Sequence, residues 1–324
     1  MSNKILVTTS SFNKYIKEIE HLEERGFEIM LNPYNRRLTE EEVGQLLKEN
    51  EIVGMIAGVE PLTKSVLEGA TNLKVISRCG IGMDSVDVDS AKQLGVEVFN
   101  TPDAPTIAVA ELALSMMLNL LRKVSLTDRR IREGNWKSEM GNLLSAQTVG
   151  IIGYGRIGRK VANLVQAFGA KVICYDVFDF APEGDAIRVE SLNDLFNNSD
   201  IVTLHVPYME STHHIIDQEA INNMKESSII INVSRGGLID EDALYHAIKS
   251  EKIAGAGLDA FEIEPYNGPL KELEQTLLTA HMGSYAKEAR MEQERLAAEN
   301  LIKGIDQFYE VGKDKNTEKE VVSL

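Results

Sequence analysis

Short apolar runs alternate with amphipathic stretches through the first hundred residues. An apolar run predicts a buried strand, and apolar residues repeated every three or four positions predict a helix. The predicted strands are 4–9, 27–31, 53–58 and 73–78. The predicted helices are Phe12–Arg25, one that begins with a capping box of Thr39 and Glu42 and ends near Lys48, and one that Asp87 caps and that ends before Gly95. Such alternation is typical of a parallel sheet with helices on both faces.

A second alternation follows a long apolar stretch, Pro105–Arg132, which is helical in one piece or in two. The strands predicted after it are 148–153, 171–176, 201–206, 228–233 and 253–259. The predicted helices are Arg156–Phe168, Leu192–Asn197, Gln218–Asn223, Glu241–Lys249 and Ala286–Phe308. The polar end, 312–324, is expected to be mobile. The pattern predicts an α/β fold with two doubly wound parallel sheets, and the last helix can return to the first of them.

The charge balance limits the partners of the protein. The chain has 324 residues and a formal net charge of −16. This excess of acidic residues disfavours nucleic acid and anionic membranes as partners, because both require basic faces. It does not exclude an anionic small molecule, for which a few local cations suffice.

The cysteines and the N-terminus favour a cytoplasmic protein. Cys79 and Cys174 each lie at the end of a predicted strand and belong to no CxxC pattern, as expected of buried free thiols. The first residues, MSNKILVTTS, contain no signal-peptide core. The most apolar stretch, 107–121, is interrupted by polar residues such as Glu111 and is too short to span a bilayer.

A glycine-rich turn follows the first strand of the second alternation. Gly153, Gly155 and Gly158 have G-x-G-x-x-G spacing between a strand and a helix, and Asp176 ends the next strand. In a dinucleotide-binding turn, the helix N–H groups bind pyrophosphate and the acidic residue binds the adenosine ribose. Residues 177–179 include no basic group for a 2′-phosphate, so the pattern favours NAD over NADP. The alternative is a glycine-rich turn without a ligand.

Arg235, Glu264 and His281 each follow an apolar run in the second alternation. Because ligands of parallel sheets bind beyond the carboxyl ends of the strands, we expect these side chains to converge there. A guanidinium binds a carboxylate with two hydrogen bonds, and an imidazole beside a carboxylate can exchange a proton with a ketone oxygen. The set suits hydride transfer between nicotinamide and a 2-keto acid. Taken singly, each residue is also explained as a surface ion-pair partner or a solvated loop residue.

Two glycines, Gly236 and Gly237, come directly after Arg235. We expect them to keep side chains out of the space that the substrate and the nicotinamide share. No metal site is predicted, because no set of His, Cys and acidic residues has zinc-ligand spacing. The neighbours His213 and His214 cannot both point at one metal from a helix face.

Four segments occur in the order GIIGYGRIGRKVA, INVSRGGLIDEDAL, GAGLDAFEIEP and LLTAHMGSYAKEAR. Together they resemble the D-isomer-specific 2-hydroxyacid dehydrogenases, most closely the phosphoglycerate dehydrogenase branch, over nearly the whole chain. The resemblance implies a Rossmann dinucleotide-binding domain, residues 102–284, inserted in a discontinuous flavodoxin-like substrate domain, residues 1–101 and 285–324. It implies an NAD-dependent oxidoreductase that transfers a hydride between nicotinamide and C2 of a small D-2-hydroxy acid.

The resemblance also implies roles for single residues. Arg235 would bind the substrate carboxylate, Glu264 would orient the histidine, and His281 would be the acid/base. Asp259 resembles the residue that binds the nicotinamide carboxamide. The implied substrate contacts are Arg78, Gly80, Ile81, Gly82, Arg235 and His281. The implied cofactor contacts are Gly153, Gly155, Arg156, Ile157, Gly158, Asp176, His205, Pro207, Thr212, Val233, Asp259 and Gly283.

The substrate depends on the interpretation of Arg78. With Gly80 and Gly82 beside it, this second cation favours a second anionic group on the substrate, as in D-3-phosphoglycerate and 3-phosphohydroxypyruvate. Two features oppose that interpretation: Ala57 lies where phosphoglycerate enzymes can carry an arginine, and Glu60 adds negative charge. In the alternative, Arg78 holds the same carboxylate or a loop carbonyl, and the protein is a hydroxypyruvate or glyoxylate reductase or another dehydrogenase of unphosphorylated acids.

The predicted class of function and the predicted homodimer each have an alternative. Corepressors that resemble this family exist, so an NAD(H)-sensing binding protein is a different class of function, which the acidic composition disfavours. The helix 105–121 is apolar on nearly every face and needs burial all round. We expect a homodimer whose symmetric partner covers it, with burial between the chain's own two domains as the alternative.

Overall fold

The chain forms two compact units in the computed structural model, which describes residues 3–10 and 12–317. The terminal unit comprises the residues up to Pro105 together with those from Lys287 onward, and the central unit comprises Thr106–Ala286. The domain boundaries predicted from the sequence were 101/102 and 284/285.

The terminal unit contains a five-stranded sheet in which all strands run parallel. The strands are β1 (Lys4–Val7), β2 (Glu28–Leu31), β3 (Ile52–Ala57), β4 (Val75–Arg78) and β5 (Glu97–Asn100). The first helices are α1 (Lys17–Glu24), α2 (Glu40–Glu49), α3 (Lys64–Gly69) and α4 (Val88–Gln93). The strand order β2-β1-β3-β4-β5 is that of the flavodoxin-like fold.

The central unit contains a seven-stranded parallel sheet. It begins with α5 (Thr106–Arg122) and α6 (Val124–Arg132). The strands are β6 (Thr148–Ile152), β7 (Lys171–Tyr175), β8 (Ile187–Arg188), β9 (Ile201–Leu204), β10 (Ile229–Asn232), β11 (Gly255–Leu258) and β12 (Thr276–Leu278). The helices between them are α7 (Arg156–Ala167), α8 (Leu192–Asn198), α9 (Gln218–Asn223) and α10 (Glu241–Lys249). The strand order β12-β11-β10-β9-β6-β7-β8 reverses direction between β6 and β9, as in a Rossmann fold.

Both faces of the central sheet are covered, as the continuous apolar runs predict for parallel strands. In β10, Ile230 packs on one side with residues of α8, α9 and α10, and its neighbours Ile229 and Ile231 pack on the other side with residues of α5 and α7. The predicted fold class, two doubly wound parallel-sheet domains, is therefore confirmed.

The last helix, α11 (Lys287–Thr317), packs on the terminal sheet. Ala297, Ala298 and Leu301 are fully buried in the same cluster as residues of β1. The helix continues beyond Phe308, where the sequence had placed its end, and so includes part of the segment that was expected to be mobile. The rest of that segment, 318–324, lies outside the described residues.

Several elements differ from the prediction. The helix predicted from Phe12 begins at Lys17, and the Asn13 side chain accepts a hydrogen bond from the Tyr15 N–H, which stabilises a turn there. The long stretch is two helices, because Lys123 between them has a left-handed φ of 54°. The elements missed by the sequence are β5, α3 and β8, which are short or lie at a sheet edge with half-exposed residues.

The structure agrees with the prediction that both cysteines are buried free thiols. Cys79 and Cys174 are buried free thiols, and burial raises the pKa of each to about 11. Among the described residues, the structure has no helix with the length and apolar character needed to cross a membrane.

Candidate active site

The glycine turn lies where the central sheet reverses its strand order, between β6 and β9. Gly153 has a left-handed φ of 93°, and a Cβ there would lie 2.7 Å from the carbonyl carbon of His205. A Cβ on Gly158 would lie 2.0 Å from the Gly153 carbonyl oxygen. These two glycines are therefore required by the protein's own backbone, which brings α7 close to the ends of β6 and β9.

Gly155 is different, because the space beside it is open. A Cβ on Gly155 would meet no protein atom within 4 Å, and its φ of −76° is accessible to any residue. Gly155 precedes Arg156 and Ile157, the first residues of the twelve-residue helix α7. The open space in front of a helix N-terminus is where a dinucleotide pyrophosphate binds, so the turn fits NAD.

Asp176 follows β7 and holds the glycine turn in place. Its carboxylate accepts hydrogen bonds from the Tyr154 N–H at 2.7 Å and the Phe178 N–H at 3.1 Å, one on each oxygen. Each carboxylate oxygen has two acceptor sites, so both oxygens can accept a further bond from ribose hydroxyls. The sequence did not predict the bond to Tyr154.

The segment after β9 carries three of the predicted cofactor residues, and a fourth, Val233, follows β10. The His205 Nε2 lies 2.9 Å from the Thr203 hydroxyl, and burial lowers the pKa of His205 to about 3, which keeps the ring neutral. Thr212 accepts a hydrogen bond from the Met209 N–H at 2.9 Å and donates one to the Pro207 carbonyl at 2.8 Å. Val233, at the end of β10, is buried.

Arg235 lies at the carboxyl end of β10 in a segment fixed by hydrogen bonds. The buried Asn232 side chain donates to the Arg235 carbonyl at 2.8 Å and accepts from the Ser234 N–H at 3.0 Å. Ser234 donates to the Val206 carbonyl at 2.6 Å, and the Arg235 guanidinium donates to the Ser234 carbonyl at 2.8 Å. Asn232 and Ser234 are positioning residues that the sequence analysis missed, although a polar residue ending the run IIIN was a visible signal.

The expectation for Gly236 and Gly237 was wrong. A Cβ on Gly236 would lie 1.8 Å from the carbonyl carbon of Phe261, and a Cβ on Gly237 would lie 2.5 Å from the Tyr208 ring. The two glycines therefore make room for a neighbouring backbone and an aromatic ring of the protein itself. Packing within the protein therefore explains why both positions are glycine.

Asp259, at the end of β11, fixes the loop that carries His281. Its buried carboxylate accepts hydrogen bonds from the Thr279 hydroxyl at 2.5 Å and from the N–H groups of Met282 and Gly283 at 2.8 Å each. The His281 N–H also donates to the Asp259 carbonyl at 2.9 Å. Asp259 thus has a positioning function that spacing alone did not reveal.

Glu264 and His281 form a close pair. The His281 Nδ1 lies 2.9 and 3.0 Å from the two oxygens of the Glu264 carboxylate. Glu264 also accepts a hydrogen bond from the Phe261 N–H at 3.2 Å. Side-chain exposures of 45% for His281 and 38% for Glu264 leave the imidazole accessible to a small molecule. An imidazole held through Nδ1 by a carboxylate has its Nε2 available for proton transfer.

The carboxyl edge of the central sheet thus collects the predicted residues of this unit. Arg235, Asp259 and His281 follow the adjacent strands β10, β11 and β12, and the glycine turn follows β6. Among residues 3–10 and 12–317, no group of three or more His, Cys, Asp or Glu side chains is placed to hold a metal ion.

The remaining predicted residues, Arg78, Gly80, Ile81 and Gly82, belong to the terminal unit. The Arg78 guanidinium donates to the Cys79 carbonyl, and a Cβ on Gly80 would lie 2.2 Å from its Nη1. The Asn100 side chain donates to the Ile81 carbonyl at 2.9 Å. This loop is therefore organised around the arginine side chain that precedes it.

Comparison with known proteins identifies the family. The family model of the D-isomer specific 2-hydroxyacid dehydrogenase, NAD binding domain, matches residues 114–283. A hydroxypyruvate reductase of Thermotoga maritima is 39% identical over 284 residues, which cover 83% of this chain and 91% of that protein. A D-3-phosphoglycerate dehydrogenase of Methanocaldococcus jannaschii is also 39% identical, over 93% of this chain, which spans only 57% of that protein.

A solved structure extends the similarity to the fold. The crystal structure of a glyoxylate reductase from Paecilomyes thermophila superposes with a TM-score of 0.85 at 30% identity, over 94% of this chain and 96% of that one. The chain therefore belongs to the D-isomer specific 2-hydroxyacid dehydrogenase family and is an NAD-dependent oxidoreductase of that family.

Proposed function

We propose that Arg235, Glu264 and His281 are the catalytic residues of this D-2-hydroxyacid dehydrogenase. The observation that supports the proposal best is the contact of the His281 Nδ1 with both oxygens of Glu264, at 2.9 and 3.0 Å. It leaves Nε2 as the acid/base atom, at the sheet edge where Arg235 also lies. The terminal unit is the proposed substrate domain, and the central unit is the cofactor domain.

In the proposed mechanism, bound NADH would supply the hydride for reduction, and bound NAD+ would accept it in oxidation. The Arg235 guanidinium binds the substrate carboxylate with two hydrogen bonds and so orients the C2 carbonyl. His281 donates its Nε2 proton to the ketone oxygen in reduction and removes the hydroxyl proton in oxidation. Glu264 holds the ring and stabilises the imidazolium that exists before reduction and after oxidation.

The residues proposed to hold NAD are those around the open space at Gly155. The N–H groups at the start of α7 would bind pyrophosphate, and Asp176 would bind the adenosine ribose. His205, Pro207, Thr212 and Val233 would border the nucleotide. The buried Asp259 already accepts three hydrogen bonds, so we propose that it acts on the nicotinamide mainly by placing Gly283 and His281.

For the substrate, we propose a short unphosphorylated 2-keto acid of the hydroxypyruvate or glyoxylate type. The Arg78 guanidinium bonds to its own loop at the Cys79 carbonyl, which supports the alternative that this arginine organises the loop. At the same sheet edge, Glu60 is buried and bonded to Thr8, and Ala57 is buried. The negative charge of a carboxylate disfavours a phosphate nearby.

The phosphorylated three-carbon acid, D-3-phosphoglycerate or 3-phosphohydroxypyruvate, is the second candidate. It is supported by Arg78 itself and by the relative named D-3-phosphoglycerate dehydrogenase. This chain spans 57% of that relative and 91% of the hydroxypyruvate reductase.

We also propose a homodimer, on different residues from those the sequence indicated. Helix α5 is covered largely within its own unit, because Ala113, Met117 and Leu121 are buried and the other leucines of the helix pack against the same cluster. The exposed apolar surface lies after α6: Trp136 and Met140 are each 88% exposed. The segment between them is fastened by Glu139, which pairs with Arg130, Lys123 and Lys137. Exposed Trp and Met side chains close together in the sequence are typical of an interface.

The first prediction concerns the cofactor. The wild type should use NADH with a kcat/KM at least about tenfold above that for NADPH, because Asp176 repels a 2′-phosphate. Asp176→Asn, which keeps one acceptor oxygen, should narrow the ratio of the two kcat/KM values. Asp176→Ala should also narrow it, and should lower kcat/KM for both cofactors because Tyr154 loses its hydrogen bond to Asp176. Asp185→Asn removes the same charge at an exposed position and should leave the ratio unchanged. Equal use of both cofactors by the wild type contradicts the assignment.

The second prediction tests the catalytic residues by steady-state kinetics and NADH fluorescence titration. His281→Ala should lower kcat by about a hundred- to ten-thousand-fold while NADH binding stays within about twofold. Arg235→Lys should raise KM for the keto acid and lower kcat together, because an ammonium cannot make the paired contact. Glu264→Gln should shift the pH profile of kcat. Full activity in all three variants would place the active site elsewhere.

The third prediction distinguishes the substrates. The kcat/KM of the wild type for hydroxypyruvate should exceed that for 3-phosphohydroxypyruvate by about tenfold or more. Arg78→Ala should lower kcat/KM for both substrates by the same factor. Thermal unfolding should show that the variant is still folded. If the phosphate improves kcat/KM and Arg78→Ala removes that improvement, the phosphorylated acid is the substrate.

The fourth prediction concerns assembly. Light scattering at micromolar concentration should give about twice the chain mass of 35.9 kDa. Trp136→Glu together with Met140→Glu should give monomers, because a charge in the centre of an apolar interface is not solvated. Phe178→Glu, at a residue 77% exposed in the same unit, should leave the dimer intact. A monomeric wild type rules out the homodimer.

A further inference from the structure

A second histidine–carboxylate pair lies on the loop of the proposed catalytic pair. The His214 Nε2 lies 2.5 Å from Glu262 Oε1, with side-chain exposures of 30% and 38%. Glu262 is two residues from Glu264, so one loop supplies a carboxylate to each of two histidines. The reaction does not require this second pair, and the family resemblance gives it no role.

His214 is carried by the segment that contains the proposed cofactor residues Pro207 and Thr212. Its backbone N–H donates to the Gly237 carbonyl at 2.9 Å, two residues after Arg235. Ile216 then continues this connection by pairing with Ile239. The position of His214 is therefore tied through the backbone to the segment that carries the proposed substrate clamp.

Glu262 is also connected to the segment of Arg235, through the backbone of Phe261. The Phe261 backbone lies so close to Gly236 that a Cβ there would come within 1.8 Å of it. The Glu262 N–H donates to Glu241 Oε1 at 2.8 Å. The side-chain bond between His214 and Glu262 thus closes a ring of three segments, 205–216, 235–241 and 261–264, and two of them carry Arg235 and Glu264.

The surroundings of the pair are acidic. Burial raises the pKa of Glu241, and the neighbouring Glu262, Asp242 and Glu264 raise it further. The His214 ring stacks on His213 at 3.8 Å, and the Tyr208 hydroxyl lies 3.2 Å from His213 Nδ1. The carboxylates of Glu241, Asp242 and Glu264 therefore add negative charge near Glu262. An anionic keto acid that approaches Arg235 therefore benefits when a positive His214 balances Glu262.

We propose that His214 and Glu262 form a positioning pair that holds the Glu264 loop against the segment of Arg235, and that His214 balances the charge of Glu262 beside that segment. The proposal rests on the proposed function, because it assumes an anionic 2-keto acid at Arg235. The pair acts through Arg235 and Glu264 and does not touch the reacting atoms.

The test uses substitutions that keep a hydrogen bond and change only charge. They are His214→Gln, Glu262→Gln and the double variant, and steady-state kinetics are measured at about pH 6. His214→Gln leaves Glu262 unbalanced and should raise KM for the keto acid about three- to tenfold, with kcat and the KM of NADH within about twofold. Glu262→Gln should leave this KM unchanged or lower it. The double variant should return it to within about twofold of the wild type.

Matched controls are His246→Gln and Glu251→Gln, which change the same charges at exposed positions of the same unit and should leave every constant unchanged. The proposal is overturned if His214→Gln has the wild-type KM, or if both single variants raise KM and the double variant is the weakest. If His214→Gln unfolds, Glu262→Gln still carries a prediction of its own: a KM raised above that of the wild type overturns the proposal.

The outcomes separate this proposal from the proposed function. A wild type that reduces none of the keto acids contradicts the function itself. A wild type that is active, loses activity in His281→Ala and is unaffected by His214→Gln contradicts only the role of the second pair.

Discussion

The parallel direction of the strands is the constraint from which the rest of the central unit follows. Every segment that leaves the carboxyl edge of the sheet must share that edge with its neighbours. The crowding is severe at Gly153, Gly158 and Gly236, where a single Cβ would come within 2.7, 2.0 and 1.8 Å of another backbone atom. A site built there gains residues from distant parts of the chain, and the close backbone contacts fix their positions.

Polar side chains hold these crowded loops, and two of them, Asp259 and Asn232, are buried. Asp259 accepts three hydrogen bonds, Asn232 spans Ser234 and Arg235, and Asp176 holds the middle of the glycine turn. A buried polar group that loses its partner costs roughly 1–3 kcal/mol, so Asp259 and Asn232 each strongly favour one loop conformation. The glycine turn and the His281 loop are consequently preorganised, while the Glu264–His281 pair itself stays accessible.

The scaffold does not choose the substrate. Two relatives of 39% identity and one solved structure with the same fold are named for hydroxypyruvate, D-3-phosphoglycerate and glyoxylate, so the shared fold does not distinguish these substrates. In this chain the arginine bonds to the carbonyl of its neighbour, and Gly80 leaves the space that its guanidinium occupies. The proposal of an unphosphorylated substrate takes this contact as the role of an arginine that the sequence associates with a phosphate site.

The sequence by itself determined most of the strands and helices, the glycine turn, and the candidate set of Arg235, Glu264 and His281, because each depends on residues close together or on recognisable segments. The tertiary structure decided what spacing cannot show. Gly236 and Gly237 serve the packing of Phe261 and Tyr208, Asp259 bonds to Gly283 across 24 positions, and His214 meets Glu262 across 48. Periodicity records only which face of an element is buried, whereas these contacts arise between loops that meet only once the parallel strands are aligned.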